Sequence, residues 1–408
     1  MAETTNYKCP NCDGRLYFDG KIGLLKCEFC ESTFTAGEVE RIYAERQARD
    51  DARARAEQQV TPASAGAEGA SAATVSAAEA SLRDSTRVKV NRSKATDPVQ
   101  AYLENSRWDD ADSQNMRAYN CSSCGAQLMV DQVTAVTSCP YCGNNTVMPG
   151  QLSDVLKPDY VIPFKLDKDD AVAALKKYYG GKRFLPDGFT EGNHLEEVQG
   201  VYVPFWLYSG VADGDYHFHG AVVTTWSDKE KAYTQTDHYS LHRAGSMRFL
   251  RVPVDGSTRM PDEHMDAIEP YDYDELVEFS VAYLPGYVTD RYDLNVAECD
   301  ERARGRVEAT CLDALEQSTG GFAEVYVEGG STNVRWRDVS YALLPVWMLH
   351  TKWNGQDYLF AMNGQTGKLI GDLPVDSGKV TKYMLLLFVP LMLIIAALIV
   401  FVFGGYTL

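Results

Sequence analysis

Ten cysteines are the residues in this chain whose types and spacing best suit chemistry, and eight of them form one pattern twice. In each pattern, two Cys-x-x-Cys pairs are separated by fourteen residues. The two sets are Cys9, Cys12, Cys27 and Cys30, and Cys121, Cys124, Cys139 and Cys142. Two such pairs can close a tetrahedral shell of four thiolates, the usual structural zinc site. The spacing therefore predicts two small rubredoxin-like zinc ribbons, each with one structural Zn²⁺.

Redox-active or disulfide-forming pairs are the alternative interpretation of the same cysteines. Neither set sits in the strand–helix context of a thioredoxin-like motif, so metal binding is favoured. Zinc thiolates need a reducing compartment, and the polar start of the chain, residues 1–6, does not resemble a secretory signal. We therefore expect the soluble part to be cytoplasmic. The remaining Cys299 and Cys311 lie in a predicted helix and are expected to be buried as small apolar residues.

A long uncharged apolar stretch near the other end, residues 383–403, predicts a transmembrane helix. Its length of about 31 Å as a helix matches the hydrocarbon core of a bilayer. Lys379 and Lys382 precede it, and basic residues favour the cytoplasmic side. The stretch therefore predicts a single-pass cell-membrane protein with a cytoplasmic N-terminal bulk. A buried core helix is the alternative, which the length and uniform apolarity disfavour.

The net charge limits the partners that the chain can have. Lys and Arg number 39 against 57 Asp and Glu, which gives −18, and most of the negative charge falls after residue 150. Such a surface repels the phosphates of nucleic acids. Nucleic acid is therefore disfavoured as a partner.

Composition divides the chain into six parts. Residues 1–36 form the first ribbon, 37–60 a solvated helix, 61–96 a flexible linker, 97–150 the second ribbon, 151–376 an α+β domain, and 383–403 the membrane helix. The helix after the first ribbon begins at a predicted capping box of Thr35 and Glu38. Its thin apolar stripe could bind a partner instead of facing water.

A diverged internal αβ repeat is predicted within residues 151–376, because five features recur there in one order. The first copy has a strand at 161–166, a helix capped by Asp167 and ended by Gly180-Gly181, a strand at 201–208 with Pro204 and Trp206, and a turn at Asp213-Gly214. The second has a strand at 281–285, a helix at 297–317 ended by Gly320-Gly321, a strand at 343–349 with Pro345 and Trp347, and a turn at Asn354-Gly355. The fold class is therefore α+β, with a mixed or antiparallel sheet packed against helices and prolines at edges or bulges.

Catalytic motifs are not recognisable, and we predict that the chain is not an enzyme. His217 and His219 alternate on one strand face, and with the pair His238 and His242 and a nearby aspartate, Asp213 or Asp215, they could form a further metal site. Whether the two pairs meet depends on the fold. Residues 363–368 have two residues between their glycines where a phosphate loop needs four, so they predict a tight turn.

The two ribbons, the strands at 161–166 and 201–208 and the terminal span together resemble a bacterial family of membrane-anchored double zinc-ribbon proteins. Its members carry a transcription-factor-IIB-type zinc ribbon and are often mislabelled primosomal-helicase-like. The resemblance implies zinc ligands at the eight cysteines above and no catalytic residue. It also implies an accessory role in envelope-stress assemblies, alongside phage-shock-protein-A-like or stomatin/prohibitin-like (SPFH) membrane-associated proteins.

The sequence thus favours a membrane-anchored zinc-ribbon scaffold or adaptor that presents protein-binding modules in the cytoplasm. A nucleic-acid-binding regulator using the ribbons is one alternative, which the charge balance opposes. A metal-dependent hydrolase on the αβ domain, using His217 and His219, is the other. The identity of the partner, the oligomeric state and any ligand of the αβ domain have no recognisable motif.

Overall fold

The computed structural model describes residues 8–58, 98–99, 102, 116–131, 139–143, 147–150, 156–189 and 198–404. Within these residues the chain is a mixed α+β protein with two four-cysteine clusters. The linker expected at 61–96 lies outside the described residues. Of the residues that precede β4 in the predicted second ribbon, 98, 99 and 102 are described, and they are helical.

The first ribbon is a three-stranded antiparallel sheet followed by a helix. Its elements are β1 (Leu16–Asp19), β2 (Leu24–Cys27), β3 (Thr33–Phe34) and α1 (Ala36–Gln58). The predicted capping box is confirmed, since the Thr35 backbone N–H donates to Glu38 Oε2 at 2.8 Å and the Glu38 N–H donates to Thr35 Oγ1 at 3.2 Å.

Helix α1 is less solvated at its start than its composition suggests. Val39 and Tyr43 are buried, and the Tyr43 hydroxyl donates to the Lys8 carbonyl at 2.8 Å. The thin apolar stripe therefore packs against the body of the protein, and the expectation of a fully solvated helix was wrong for this first part.

The second sheet contains eleven strands in the described part of the chain. They are β4 (Met116–Cys121), β5 (Gln127–Asp131), β6 (Val147–Gly150), β7 (Tyr160–Val161), β8 (Gln199–Ser227), β9 (Ala232–Asp255), β10 (Val277–Glu278), β11 (Val288–Asp290), β12 (Glu324–Trp353), β13 (Gln356–Asn363) and β14 (Leu369–Gly371). The main path runs β10-β7-β12-β8-β11-β5-β4-β6, while β9 pairs with β8, and β13 lies between β12 and β14.

Two very long strands, β8 and β12, form the centre of this sheet. They pair antiparallel from Gln199 opposite Met348 to Ala221 opposite Glu324. Besides α1, four α-helices have described bounds: α2 (Lys168–Tyr179), α3 (Asp262–Ile268), α4 (Asp300–Gln317) and α5 (Ser377–Gly404). Because strand side chains alternate, Tyr202 and Trp206 pack on one face of β8 with the first ribbon, while Val203 packs on the other with the second ribbon.

Prolines lie inside both central strands, not at an edge or bulge as expected. Pro204 faces Leu343, and Pro345 faces Tyr202. On its outer side β8 pairs with β11 up to Tyr202 and with β9 only from Phe205 onward. On β12, likewise, pairing with β7 ends before Pro345 and pairing with β13 begins after it. Each proline thus lies between the segments that pair with two different outer strands, β11 and β9 for Pro204, and β7 and β13 for Pro345. The missing N–H of each proline therefore costs no hydrogen bond between strands.

The predicted turn at Asp213-Gly214 was wrong, because both residues lie inside β8. Gly214 faces Gly245 on one side and Thr332 on the other. A Cβ on Gly214 would come 2.7 Å from Cys311 Sγ and 2.8 Å from Leu315 Cδ1, so this glycine lets α4 approach the sheet. The turn between β8 and β9 lies instead at residues 228–231, where the Asp228 N–H donates to the Lys231 carbonyl at 2.9 Å.

The predicted hairpin turn at Asn354-Gly355 is confirmed. It joins β12 to β13, with φ of 49° and 80° at the two residues. A two-residue turn of this kind needs positive φ at both positions, which Asn and Gly tolerate.

The shorter strands and the helices match the predicted boundaries unevenly. The strand expected at 161–166 ends at Val161. The Ile162 N–H still donates to the Leu343 carbonyl at 3.0 Å, but Pro163 has no N–H, and the Lys165 and Leu166 N–H groups donate to the Gly364 carbonyl in a loop. The stretch expected to be a strand at 281–285 contains a 3₁₀ turn, Val281–Tyr283, and β11 follows it. The α2 cap is confirmed, since Asp167 accepts from the Asp170 N–H at 2.9 Å.

Helix α5 contains the apolar stretch expected to cross the membrane, with Pro390 inside it. From Ser377 to Leu398 it is long and apolar enough to span a bilayer, and none of this segment is buried against the rest of the protein. Among the described residues it is the one helix with these properties.

The first ribbon is docked on the αβ body at Gly20. A Cβ there would come 1.8 Å from the Phe164 carbonyl oxygen and 2.9 Å from Lys165 Cα. Glycine is therefore needed at position 20 for the two backbones to approach this closely. The next residue, Lys21, adds an ion pair with Asp167 at 2.5 Å.

We predict that Gly20→Ala separates the first ribbon from the body, because two backbones would have to move apart, at a cost of about 1–3 kcal/mol. Hydrogen–deuterium exchange should rise in β1 and in residues 281–287, where Tyr283 and Tyr287 contact Phe18. Gly37→Ala is the matched control, since a Cβ at Gly37 meets nothing within 4 Å. Unchanged exchange in the Gly20 variant would contradict this docking.

Candidate metal centres

The four cysteines of the first ribbon converge on one point. Cys9 and Cys30 have their sulfurs 3.4 Å apart, as do Cys12 and Cys27, and all four sulfurs lie within 4.8 Å of one another. Sulfurs at 2.3 Å from a tetrahedral zinc are separated by about 3.8 Å, whereas a disulfide needs about 2.05 Å. The geometry therefore fits a four-thiolate metal site and not a pair of disulfides.

The second set has the same geometry. The sulfurs of Cys121 and Cys142 are 3.6 Å apart, and those of Cys124 and Cys139 are also 3.6 Å apart. The structure thus brings together all eight predicted ligands in the two predicted groups, each able to hold a metal ion.

Each Cys-x-x-Cys pair forms a tight turn, called a knuckle here. Each knuckle has a residue with positive φ directly after its second cysteine. In the second ribbon these are Gly125 and Gly143, with φ of 74° and 66°. In the first ribbon Asp13 and Glu31 take the same conformation, each with φ of 56°. Since this conformation is costly for side chains larger than glycine, the first ribbon is the more strained of the two.

The surroundings of the sulfurs differ in how well they favour thiolates, the form that binds metal. The Ser32 hydroxyl lies 3.2 Å from the Cys30 sulfur and lowers the pKa of this thiol to about 6. Burial instead raises the pKa of the Cys139 thiol. A bound cation would compensate the burial of Cys139.

The second ribbon is continuous with the large sheet. Its strand β5 pairs with β11 through Met129 opposite Thr289 and Leu128 opposite Asp290. Arg291 adds a bond of 2.6 Å to the Gln127 side chain. The second ribbon is therefore part of the sheet and not a module on a tether.

The residue directly before the fourth cysteine distinguishes the two ribbons. In the first ribbon it is Phe29, which is 75% exposed, and in the second it is Tyr141, which is buried among the residues that pack on β8. The sequence shows an aromatic at both positions but not which way each one faces, since this depends on how each ribbon docks.

The histidine pairs considered for a further metal site do meet, because β9 pairs with β8 in a register that brings the histidines of the two strands together. His217 lies directly opposite His242, and His219 Nε2 is 2.9 Å from His238 Nδ1. Asp215 Oδ1 is 2.7 Å from His242 Nε2. Asp213 is engaged elsewhere, since it forms an ion pair with Arg335 at 2.5 Å.

The glycine-containing segment 363–368 is the predicted tight turn. The Asn363 N–H donates to the Lys368 carbonyl, and the Gly367 N–H donates to the Asn363 carbonyl, both at 2.9 Å. The buried Asn363 amide also donates to the Ile268 carbonyl at 3.0 Å, which ties the turn to α3. Asn363 therefore has a structural role in closing the turn.

Comparison with known proteins gives one informative similarity. The chain is 27% identical over 315 residues to uncharacterized protein YdjG of Bacillus subtilis (strain 168), a match that covers 65% of this chain and 92% of that relative. No family model matches the chain. No solved structure matches it either.

We predict that the full-length chain in detergent, dialysed against a weak chelator, retains two zinc ions, one in each four-cysteine set. Cys124→Ser should remove one ion and unfold the second ribbon, because ligand binding supplies most of the folding free energy of such a site. Since β5 pairs with β11, exchange should also rise at residues 288–290.

Cys12→Ser is the matched variant, and it should remove one ion while leaving exchange at residues 288–290 unchanged. Metal content by mass spectrometry and hydrogen–deuterium exchange would measure both effects. Disulfides in place of metal, in protein from reducing cells, would contradict the prediction.

Proposed function

We propose that this chain is a membrane-anchored zinc-ribbon scaffold whose first ribbon binds a membrane-associated protein on the cytoplasmic side. Phe29 carries the proposal. A phenylalanine side chain that is three-quarters exposed, on a knuckle held rigid by metal, offers a fixed apolar anchor for a partner's pocket. The buried Tyr141 at the matching place gives the second ribbon a structural part in the same protein.

The region where α5 leaves the body supports membrane attachment. A cavity of about 530 Å³ lies there, and Lys182, Arg183 and Lys379 are among the residues that line it. Phe184 meets Tyr383 edge to face, with ring centroids 5.5 Å apart. Basic and aromatic residues gather at the cytoplasmic end of a membrane helix, which supports the proposed orientation.

The proposed internal repeat is supported by matching contacts in the two halves of the sheet. Pro204 accepts from the Gly256 N–H and Pro345 from the Gly364 N–H, both at 2.8 Å. The Trp206 indole donates to the Leu294 carbonyl at 2.9 Å.

The equivalent indole in the second half, of Trp347, donates to the Leu166 carbonyl at 3.0 Å. Strands β7 and β11 complete the match, since each runs parallel to the central strand that it borders. Two copies of one unit, related by the β8–β12 pair, would account for these contacts, and the whole body would then serve as a rigid support for the ribbons.

Resemblance to the membrane-anchored double zinc-ribbon family supports the class of partner. It makes phage-shock-protein-A-like and SPFH proteins the first candidates, and an envelope-stress assembly the setting. The net charge of −18 supports protein in preference to nucleic acid as the ligand.

We predict that Phe29→Ala and Phe29→Asp reduce co-purification of the partner from crosslinked membranes by at least tenfold, because the anchor would be lost. Both variants should keep two zinc ions and membrane attachment. Leu250→Ala is the control, since Leu250 is also exposed, at 72%, but lies on β9. Partner recovery that is unchanged by both Phe29 variants, or tight RNA or DNA binding at physiological salt, would refute the proposal.

We predict that deletion of residues 383–408 releases the protein to the cytosol with both zinc ions bound, because this span supplies the anchor. In intact cells the ribbons should resist added protease, and in permeabilised cells they should be cut. Cleavage of the ribbons in intact cells would contradict the proposed orientation.

A further inference from the structure

One face of the paired strands β8 and β9 collects four of the chain's seven histidines. Alternate residues of β8, Tyr216 and Phe218, are buried beneath α4 with Cys311 and Leu315. On the opposite face of β8, no helix among the described residues covers Asp215 and His217, which are exposed. The alternation that buries one set of side chains therefore aligns the other set toward solvent.

Three potential ligands meet on this face from two strands. The rings of His217 and His242 are stacked, with centroids 4.6 Å apart and an angle of 25° between them. Asp215, two residues before His217, reaches across to His242 at 2.7 Å. One donor atom from each of the three residues lies within 4.8 Å of those of the other two.

These separations suit a first-row divalent metal. Ligand atoms about 2.0–2.1 Å from a tetrahedral zinc lie about 3.3 Å apart, so small rotations of the three side chains suffice to enclose one ion. Imidazole and carboxylate ligands together select zinc and its neighbours in the transition series. Strand pairing fixes the relative positions of the three residues, so little ordering is needed on binding.

A hydrogen bond that merely stabilises the strand pair is the competing explanation for the Asp215–His242 contact. It does not account for His217, which shares the face and stacks on the same ring. Two neighbouring carboxylates have other partners, because Asp213 is held by Ser246 and Arg335, and Glu328 lies 3.5 Å from His219. Asp215 is thus the carboxylate that accompanies His217 and His242.

We propose that Asp215, His217 and His242 form a third metal site, which binds Zn²⁺ or a chemically similar divalent cation and leaves a coordination position open to solvent. The site differs from the four-cysteine sets in exposure and in ligand number. Its ion exchanges with the surroundings, whereas the thiolate-bound ions are retained. Its occupancy therefore follows the concentration of free metal, and the bound ion links β8 to β9.

The test uses Zn²⁺ and the full-length chain in detergent, first dialysed until two zinc ions remain. Equilibrium dialysis should then show a third ion bound at low zinc concentration. His217→Ala, His242→Ala and Asp215→Asn should each weaken this third ion at least tenfold, because even residues behind a ligand contribute 10–100-fold. Retention of the other two ions shows that each variant is folded.

Two matched controls lie on the same face. His238→Ala removes a ring that contacts His219 and not the trio, and Asp213→Asn removes a carboxylate that Arg335 holds. Both should change the affinity for the third ion less than about threefold. Zinc should also protect His217 and His242, but not His238, from diethyl pyrocarbonate, as read by mass spectrometry.

Absence of a third ion up to about 1 mM zinc would overturn the proposal, since the free energy of binding would then be weaker than about −4 kcal/mol. A third ion whose affinity is unchanged in both the His217 and His242 variants would overturn it equally. Loss of that ion in the His238 variant alone would place it on the His219–His238 pair and would also reject the assignment.

Discussion

The antiparallel pairing of β8 with β12 is the constraint on which the rest of the structure depends. Each strand is several times longer than the average strand. The two strands pair with each other along most of their length. The buried part of the pair, around Tyr202 and Leu343, provides the two faces on which both ribbons and the helices pack. The exposed part carries α4 on one face and the histidines on the other.

A metal ion in each four-cysteine set would be coupled to folding differently in the two ribbons. The first packs on the body through Phe18, Gly20 and Lys21 and adds no described strand to the large sheet. The second contributes β5 to the sheet itself, next to β11. The apolar side chains of its knuckle, including Tyr141, belong to the same core as those of β8. Two identical cysteine patterns thus serve a peripheral module in one case and a part of the framework in the other.

Features that depend on local chemistry could be predicted from the sequence. The cysteine sets, the Asp167 cap and the Asn354-Gly355 turn are each determined by a few adjacent residues and were found in place. Features set by distant partners could not. Asp213-Gly214 has the composition of a turn, yet pairing on both sides keeps it in β8. The meeting of His217 with His242 follows from the same strand register, which no local pattern encodes.

The connection between the sheet and α5 has a geometrical consequence. Only residues 372–376 separate β14 from α5, and five residues span less than about 18 Å even when extended. The Asp376 N–H donates to the Phe184 carbonyl, and Lys379 donates to the Leu185 carbonyl. These two hydrogen bonds hold the start of α5 against the body. With α5 in a bilayer, the body would move in two dimensions within a thin layer at the membrane surface. It would encounter other membrane-bound proteins by lateral diffusion, whereas a dissolved partner would have to approach this layer from one side.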